Sequence, residues 1–439
     1  MNQASLFRRF EFIVVLALLA AGLCSCGGGE SEVSGNAINS DAYVVFAWND
    51  LGMHCLNPTY DAAVILPPYN NLFVQVIKKG NPPAVMTTGI SVDYRILNNT
   101  FSSGKTDSLG AVFSQFWSNV LSLFGTAVPP DKGLNLVDPG VHNGLSGIML
   151  AKGDHFEADG IPVTPVDDAG TWDPYQVAEV IVKDASGKVI ASTRATVPVS
   201  DEINCRKCHG ADAFNDILHK HDVLHGTSLA GQKPVLCAGC HGSPALGRNG
   251  SGSSGLYLSY AIHKAHSTRG AACYDCHPGQ TTKFSRSAAH TAADGNCAAC
   301  HGNIANVADS IAVGRTPWSQ EPKCVTCHNV SGVDTAASLY RNARGHGGLY
   351  CAACHGSPHA MTPSDKPSDN YQGLQYQGSA KTIGSCGACH GNSRGGGIGE
   401  FAEEHGGTNP RVRNACHICH TAVSTDTSKW PHAYQWKGR

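Results

Sequence analysis

At 439 residues the chain has room for two or three domains. It carries 22 His and 19 Cys against only 15% charged residues and a formal net charge of −2. That balance supplies no basic stripe of the kind nucleic-acid binding needs, so no nucleic-acid partner is expected.

In chain order, Arg8 and Arg9 precede an apolar run from Phe12 to Leu23. The run is too short to span a bilayer comfortably and has the length of a signal-peptide core. Leu23-Cys24-Ser25-Cys26 is similar to a bacterial lipobox, with Cys26 as the new first residue; Cys24 suits the cut less well because bulky Leu23 would precede it. Residues 1–25 therefore read as a lipoprotein signal peptide, with a plain secretory signal and a later cut as the alternative. Several acyl chains on Cys26, at roughly 0.8 kcal/mol per buried CH₂, make a durable anchor. Gly27 after Cys26 resembles lipoproteins sent on to the outer membrane, and residues 26–40, rich in Gly and Ser, read as a flexible tether. No second apolar run reaches spanning length.

Residues 41–200 read as a β-rich, sandwich-like domain with a helical insertion. Ala42–Ala47 is a short apolar run, Leu72–Lys78 follows Pro67-Pro68, and Ile90, Val92, Tyr94 and Ile96 alternate as in a half-buried strand. Val177–Val182 and Val189–Val197 flank Asp184-Ala185-Ser186-Gly187, a hairpin turn. Val112, Phe116, Val120 and Phe124, with Phe113, Trp117 and Leu121, repeat at helical spacing. The stretch Trp48-Asn49-Asp50-Leu51-Gly52-Met53-His54-Cys55 stands out, because Cys55 has neither lipid nor motif partner. As a small buried core residue it needs no function. A metal or redox site with Met53, His54, His142 or His155, or His54 as a distal ligand, are the sharper readings.

From Cys205 the character changes. The pattern C-x-x-C-H begins at Cys205, Cys237, Cys273, Cys297, Cys324, Cys351, Cys386 and Cys416, and its second cysteines are Cys208, Cys240, Cys276, Cys300, Cys327, Cys354, Cys389 and Cys419. Two thiols three residues apart lie on one side of a helical turn, where they reach both vinyl groups of one porphyrin. The next residue, His, sits under the iron. The eight motif histidines are His209, His241, His277, His301, His328, His355, His390 and His420. Paired zinc knuckles need no His directly after the second Cys, so the pattern favours eight covalently attached c-type haems over zinc. With about 29 residues per motif, residues 201–439 cannot build an ordinary apolar core around each cofactor. They read as a multihaem domain of short helices and loops organised around the haems themselves.

Saturating eight irons with two imidazoles each needs eight further histidines. Nine are favoured as distal ligands: His221 and His225, His263 and His266, then His290, His346, His359, His405 and His432. The first two pairs are four and three apart, so each projects from one helical face and, if each member binds a different iron, holds two haems close together. His219 falls on the opposite helical side from His221, and His417, between Cys416 and Cys419, has little freedom; both are spares. Met361 is the only Met in this half. A row of His/Met haems is thereby excluded, and bis-His haems are expected to be low in potential.

The array from Cys205 to His420, the lipobox-like Cys26 and the domain containing WNDLGMHC together resemble the outer-surface multihaem c-type lipoprotein cytochromes of metal-reducing bacteria. The resemblance implies an exported, cell-surface outer-membrane lipoprotein that relays electrons from periplasmic or outer-membrane cytochromes and conduit proteins to extracellular acceptors such as Fe(III) or Mn(IV) oxides. On this reading the chain is a carrier and no substrate meets iron. One rival is a multihaem reductase of nitrite, hydroxylamine or a sulfur oxyanion with one open-site haem, though no C-x-x-C-K occurs here. Another is a subunit of a haem filament.

Overall fold

The computed structural model describes residues 37–60, 66–80, 82–279, 281–288, 290, 297–328, 339–385 and 387–390. Alternating apolar residues build two antiparallel sheets over one shared core. In the first sheet the order is β1 (Tyr43–Trp48), β3 (Leu72–Lys78), β8 (His155–Ala158) and β7 (Leu150–Lys152), with β4 (Ala84–Met86) also paired to β3. The second runs β10 (Val189–Thr196), β9 (Val177–Asp184), β5 (Ile90–Ile96) and β6 (Ser146–Ile148). Val45 faces Val76 and Val74 faces Phe156 on one ladder; Val92 faces Val182 and Tyr94 faces Val180 on the other. All eight side chains belong to the same buried cluster, so the two inner faces close on each other as in a sandwich. A short parallel pair, β2 (His54–Cys55) with β11 (Val199–Ser200), ties the WNDLGMHC stretch to the end of the β-rich region.

The Asp184–Gly187 turn closes as its composition demands. Gly187 N donates to Asp184 O at 2.9 Å, Asp184 Oδ1 accepts from the amides of Ser186 and Lys188, and Gly187 sits at φ +84°. The helical insertion is α1 (Ser114–Phe124). Its covered stripe is Phe113, Phe116, Trp117 and Val120, whereas Val112 and Leu121 of the sequence pattern face solvent.

β1 is buried on both faces, which explains its unbroken apolar sequence. Val45 and Ala47 face the sandwich core, while Val44, Phe46 and Trp48 form a second cluster with Ile77, Tyr350, Ala352 and Ala353. The described residues from Ala37 onward belong to one compact unit. The free edge of β1 is covered by α8 (Tyr371–Gln377). Tyr376 Oη accepts from Val45 N and donates to Val45 O, and Gln372 bonds both the N and O of Ala47 and reaches Arg194 O on β10. Edge groups that would otherwise template a further strand are thus consumed by side chains.

Beyond β11 the elements are short. They include α2 (Arg206–His209), α3 (Ala213–His225), α4 (Leu258–His266), α5 (Ala298–His301), α6 (Ile304–Ala312), α7 (Cys351–His355) and α9 (Gly387–His390). Asp212 caps α3 by accepting from Asn215 N, and Asn303 with Asn306 forms a capping box on α6, which packs against α4. No described helix is long and apolar enough to cross a membrane.

Candidate metal centres

Each fully described motif folds into a single turn closed by the amide of its histidine on the carbonyl of its first cysteine. The bonds run from His209 to Cys205 (3.0 Å), His241 to Cys237 (2.9 Å), His277 to Cys273 (2.9 Å), His301 to Cys297 (2.9 Å) and His328 to Cys324 (2.8 Å); Cys351–His355 is itself helix α7. One turn places both sulfurs on one side and the imidazole at its end. The described cysteines are thiols, none in a disulfide. Burial pushes the thiols of Cys237 and Cys276 up to about 11 and that of Cys354 up to about 12.

The motif histidines do not stand by themselves. His209 faces His266 with ring centroids 6.2 Å apart, His241 faces His221 at 6.2 Å, and His277 faces His263 at 6.2 Å. His301 faces His359 at 6.2 Å, His328 faces His290 at 6.0 Å, and His390 faces His346 at 6.2 Å. Two imidazoles on opposite sides of one metal, each at about 2 Å with the ring centre about 1.1 Å behind the ligating nitrogen, would have centroids about 6.2 Å apart, against about 5 Å at a tetrahedral angle. Six independent pairs sit at that separation.

The hydrogen bonds select the same nitrogen throughout. Nδ1 of His263 donates to Ser259 O (2.6 Å), that of His266 to Ile262 O (2.7 Å) and that of His359 to Leu51 O (3.0 Å). Nδ1 of His209, His221, His241 and His290 meets Asp216, Thr227, Ser254 and Ser287 respectively. A carbonyl acceptor fixes the proton on Nδ1 and leaves the Nε2 lone pair for a metal. Burial, reinforced by neighbouring imidazoles, holds His277 and His359 neutral, down to about 4, and burial likewise lowers His263, His301, His346 and His390. Neutral imidazole is the ligating form. Paired rings at this spacing, correct tautomers and one-turn dithiols fit covalently held haem with two axial histidines. Among the described residues no three His, Cys, Asp or Glu side chains converge to hold a metal ion on their own.

The two helical His pairs behave differently. On α4, His263 and His266 diverge to two motif histidines. On α3, His221 faces His241 while His225, exposed, has its ring 4.8 Å from His221. His219 is exposed, as its helical position implies. His355 closes the one-turn helix α7. Cys26, Cys386, Cys416, Cys419, His405, His417, His420 and His432 lie outside the described residues.

His54 is committed elsewhere: its Nε2 meets Asp50 Oδ1 at 2.7 Å, and Asn71 Nδ2 donates to Asp50 Oδ2 at 3.0 Å. His142 Nδ1 meets Gly133 O, and His155 lies between Asp154, Glu157 and Tyr350. Burial pushes the Cys55 thiol up to about 12, the state of an inert thiol.

Several residues that matter have no motif to announce them. Arg286, buried, pairs its guanidinium with Asp369 (Nε–Oδ2 2.8 Å) and donates to Gly52 O (2.8 Å), while its amide donates to His359 O (2.6 Å). Phe284 stands edge-on to both His277 (6.4 Å) and His359 (4.8 Å), so two His pairs share one aromatic neighbour. Asp216 has the one sequence signal available: an acid in the first turn of the helix that directly follows a motif.

A family model described as cytochrome c3 matches residues 265–337, which take in the motifs at Cys273, Cys297 and Cys324 together with His266 and His290. No curated protein and no solved structure matches the chain. The family match supports a multihaem cytochrome with covalently bound haem c and an electron-transfer role.

Proposed function

We propose that the chain carries eight c-type haems, one per C-x-x-C-H motif, and relays electrons through low-potential, bis-His irons without binding a substrate at any of them. The observation that carries this reading is the set of six motif–distal His pairs at 6.0 to 6.2 Å. A relay needs every iron saturated and every macrocycle near the next. α4 supplies the second condition by offering two ligands from adjacent positions of one helix, and Phe284 lies between the next two pairs. When bound, the haems supply the one-electron chemistry; the chain's own groups fix each imidazole's tautomer and keep its ring in place.

The likeness to surface cytochromes leads us to place the protein at the outer membrane, anchored through Cys26 and exposed at the cell surface. There it would exchange electrons with periplasmic or outer-membrane cytochromes and conduit proteins, and pass them to extracellular Fe(III) or Mn(IV) oxides. Nitrite, hydroxylamine or sulfur-oxyanion reduction at one open haem is the second reading. It rests on the number of C-x-x-C-H motifs, in which such reductases resemble this chain.

Purified holoprotein separates the two. The relay is expected to show eight haems per chain by pyridine haemochrome, a wholly low-spin spectrum when oxidised, and no stoichiometric binding of cyanide or nitric oxide. A high-spin component worth one haem, with one equivalent of cyanide bound, would overturn the relay in favour of the reductase. Lipid labelling of wild type but not of Cys26→Ser tests the anchor.

A further inference from the structure

Among the described histidines whose Nδ1 partner is defined in the His pairs, six meet neutral acceptors. Ser259, Ile262 and Leu51 offer carbonyls, and Thr227, Ser254 and Ser287 offer hydroxyls. His209 differs. Its Nδ1 lies 2.6 Å from Asp216 Oδ2, a carboxylate placed by the first turn of α3. A carboxylate accepting the Nδ1 proton draws it off the ring, and the imidazole becomes a stronger donor to its metal. A stronger axial donor stabilises Fe(III) over Fe(II). Lys220, one turn further along α3, binds the same Oδ2 and opposes the effect by neutralising the carboxylate.

We infer that Asp216 is a positioning residue that makes the haem at Cys205–His209 more reducing than it would be with a neutral acceptor, with Lys220 limiting the bias. The inference rests on the haem-binding reading above. Its chemistry is one electron added to one iron, Fe(III) to Fe(II), with the His209–Asp216 hydrogen bond weaker in the reduced form. The site is then the strongest electron donor of its neighbourhood. α4, which offers His266 to it and His263 to the His277 site, is the route by which charge leaves.

The experiment is EPR-monitored potentiometric titration of the holoprotein, wild type against Asp216→Asn and Lys220→Ala. Asp216→Asn keeps a neutral acceptor and is expected to raise the potential of one haem component by on the order of tenfold in its reduction equilibrium constant, about 59 mV for one electron. Lys220→Ala is expected to lower the same component. A merely structural role for Asp216 predicts no such opposition of signs. Potentials unchanged in Asp216→Asn, or moved downward, would overturn the inference, as would a rise in Lys220→Ala. Should Asp216→Asn fail to mature, Lys220→Ala decides by itself. A wild-type haemochrome count that leaves the Cys205 motif without haem defeats the underlying reading instead, so the two failures are distinguishable.

Discussion

The Nδ1 of His359 lies 3.0 Å from the carbonyl oxygen of Leu51, 308 positions earlier in the chain. A residue of the β-rich region thus fixes the tautomer of the histidine that faces His301. His359 itself sits at φ +59°, a conformation costly for a non-glycine residue and held here by its surroundings. The WNDLGMHC loop thus reaches the His301–His359 pair through its backbone.

Gly52→Ala should break this arrangement. Gly52 is at φ +79°, and a Cβ there would lie 1.8 Å from Pro358 O, next to His359. An L-residue in that region costs about 1–3 kcal/mol before the clash is counted. The expected outcome is a lower melting temperature together with a high-spin EPR signal worth one haem. A spectrum that stays fully low-spin would show that Leu51 does not position the ligand.

His263→Ala and His266→Ala, made separately, should each open one haem, and the double variant two. Carbon monoxide titration of the reduced proteins reads the count directly. If the double variant binds only one equivalent, the two histidines serve the same iron and the divergence of α4 has been misassigned.

The Arg286–Asp369 pair is bidentate, with side chains 1% and 3% exposed, and each partner makes further bonds. Removing one partner strands the other, so Arg286→Met or Asp369→Asn should cost about 3–5 kcal/mol in denaturant unfolding. Arg286→Met with Asp369→Leu should recover part of it, since no buried charge remains. A double variant as unstable as the sum of the singles would refute the ion-pair account.

Asp159, just after β8, sets a pH dependence of its own. Burial, then the charges of Glu157 and Asp50, raises it from 3.8 to about 7. Because the folded value lies above the unfolded one, its stabilising contribution is complete below about pH 4 and is lost as pH rises through 7. Asp159→Asn should flatten the stability profile between pH 4 and 7 and be the more stable protein at pH 8, by a few kcal/mol at most. Parallel profiles for variant and wild type would count against it.

The sequence disclosed what is local. C-x-x-C-H is one turn long, and the alternation in β5 or the Asp184–Gly187 turn is decided within a few residues. Of the seven described candidate distal histidines six face a motif histidine, and which one each faces is not legible in the sequence. His290 lies just before Cys297 yet faces His328, His346 lies just before Cys351 yet faces His390, and His359 lies just after His355 yet faces His301. Such pairing depends on how loops return in space, which no spacing rule encodes. Around α1, Val112 and Leu121 fit the helical period but fall outside the stripe that meets the core. Gln372 and Tyr376 have no signature at all, because a side chain that satisfies a strand edge looks like any exposed polar residue.

That edge has a consequence for assembly. With Tyr376 and Gln372 occupying the main-chain positions of β1, an incoming extended peptide finds no ladder to join on that flank. Among the described strands, lateral growth of the sandwich by β-augmentation finds edges at β4, β7 and β6 instead. Neighbouring copies that meet at the α8 flank must therefore do so through side chains.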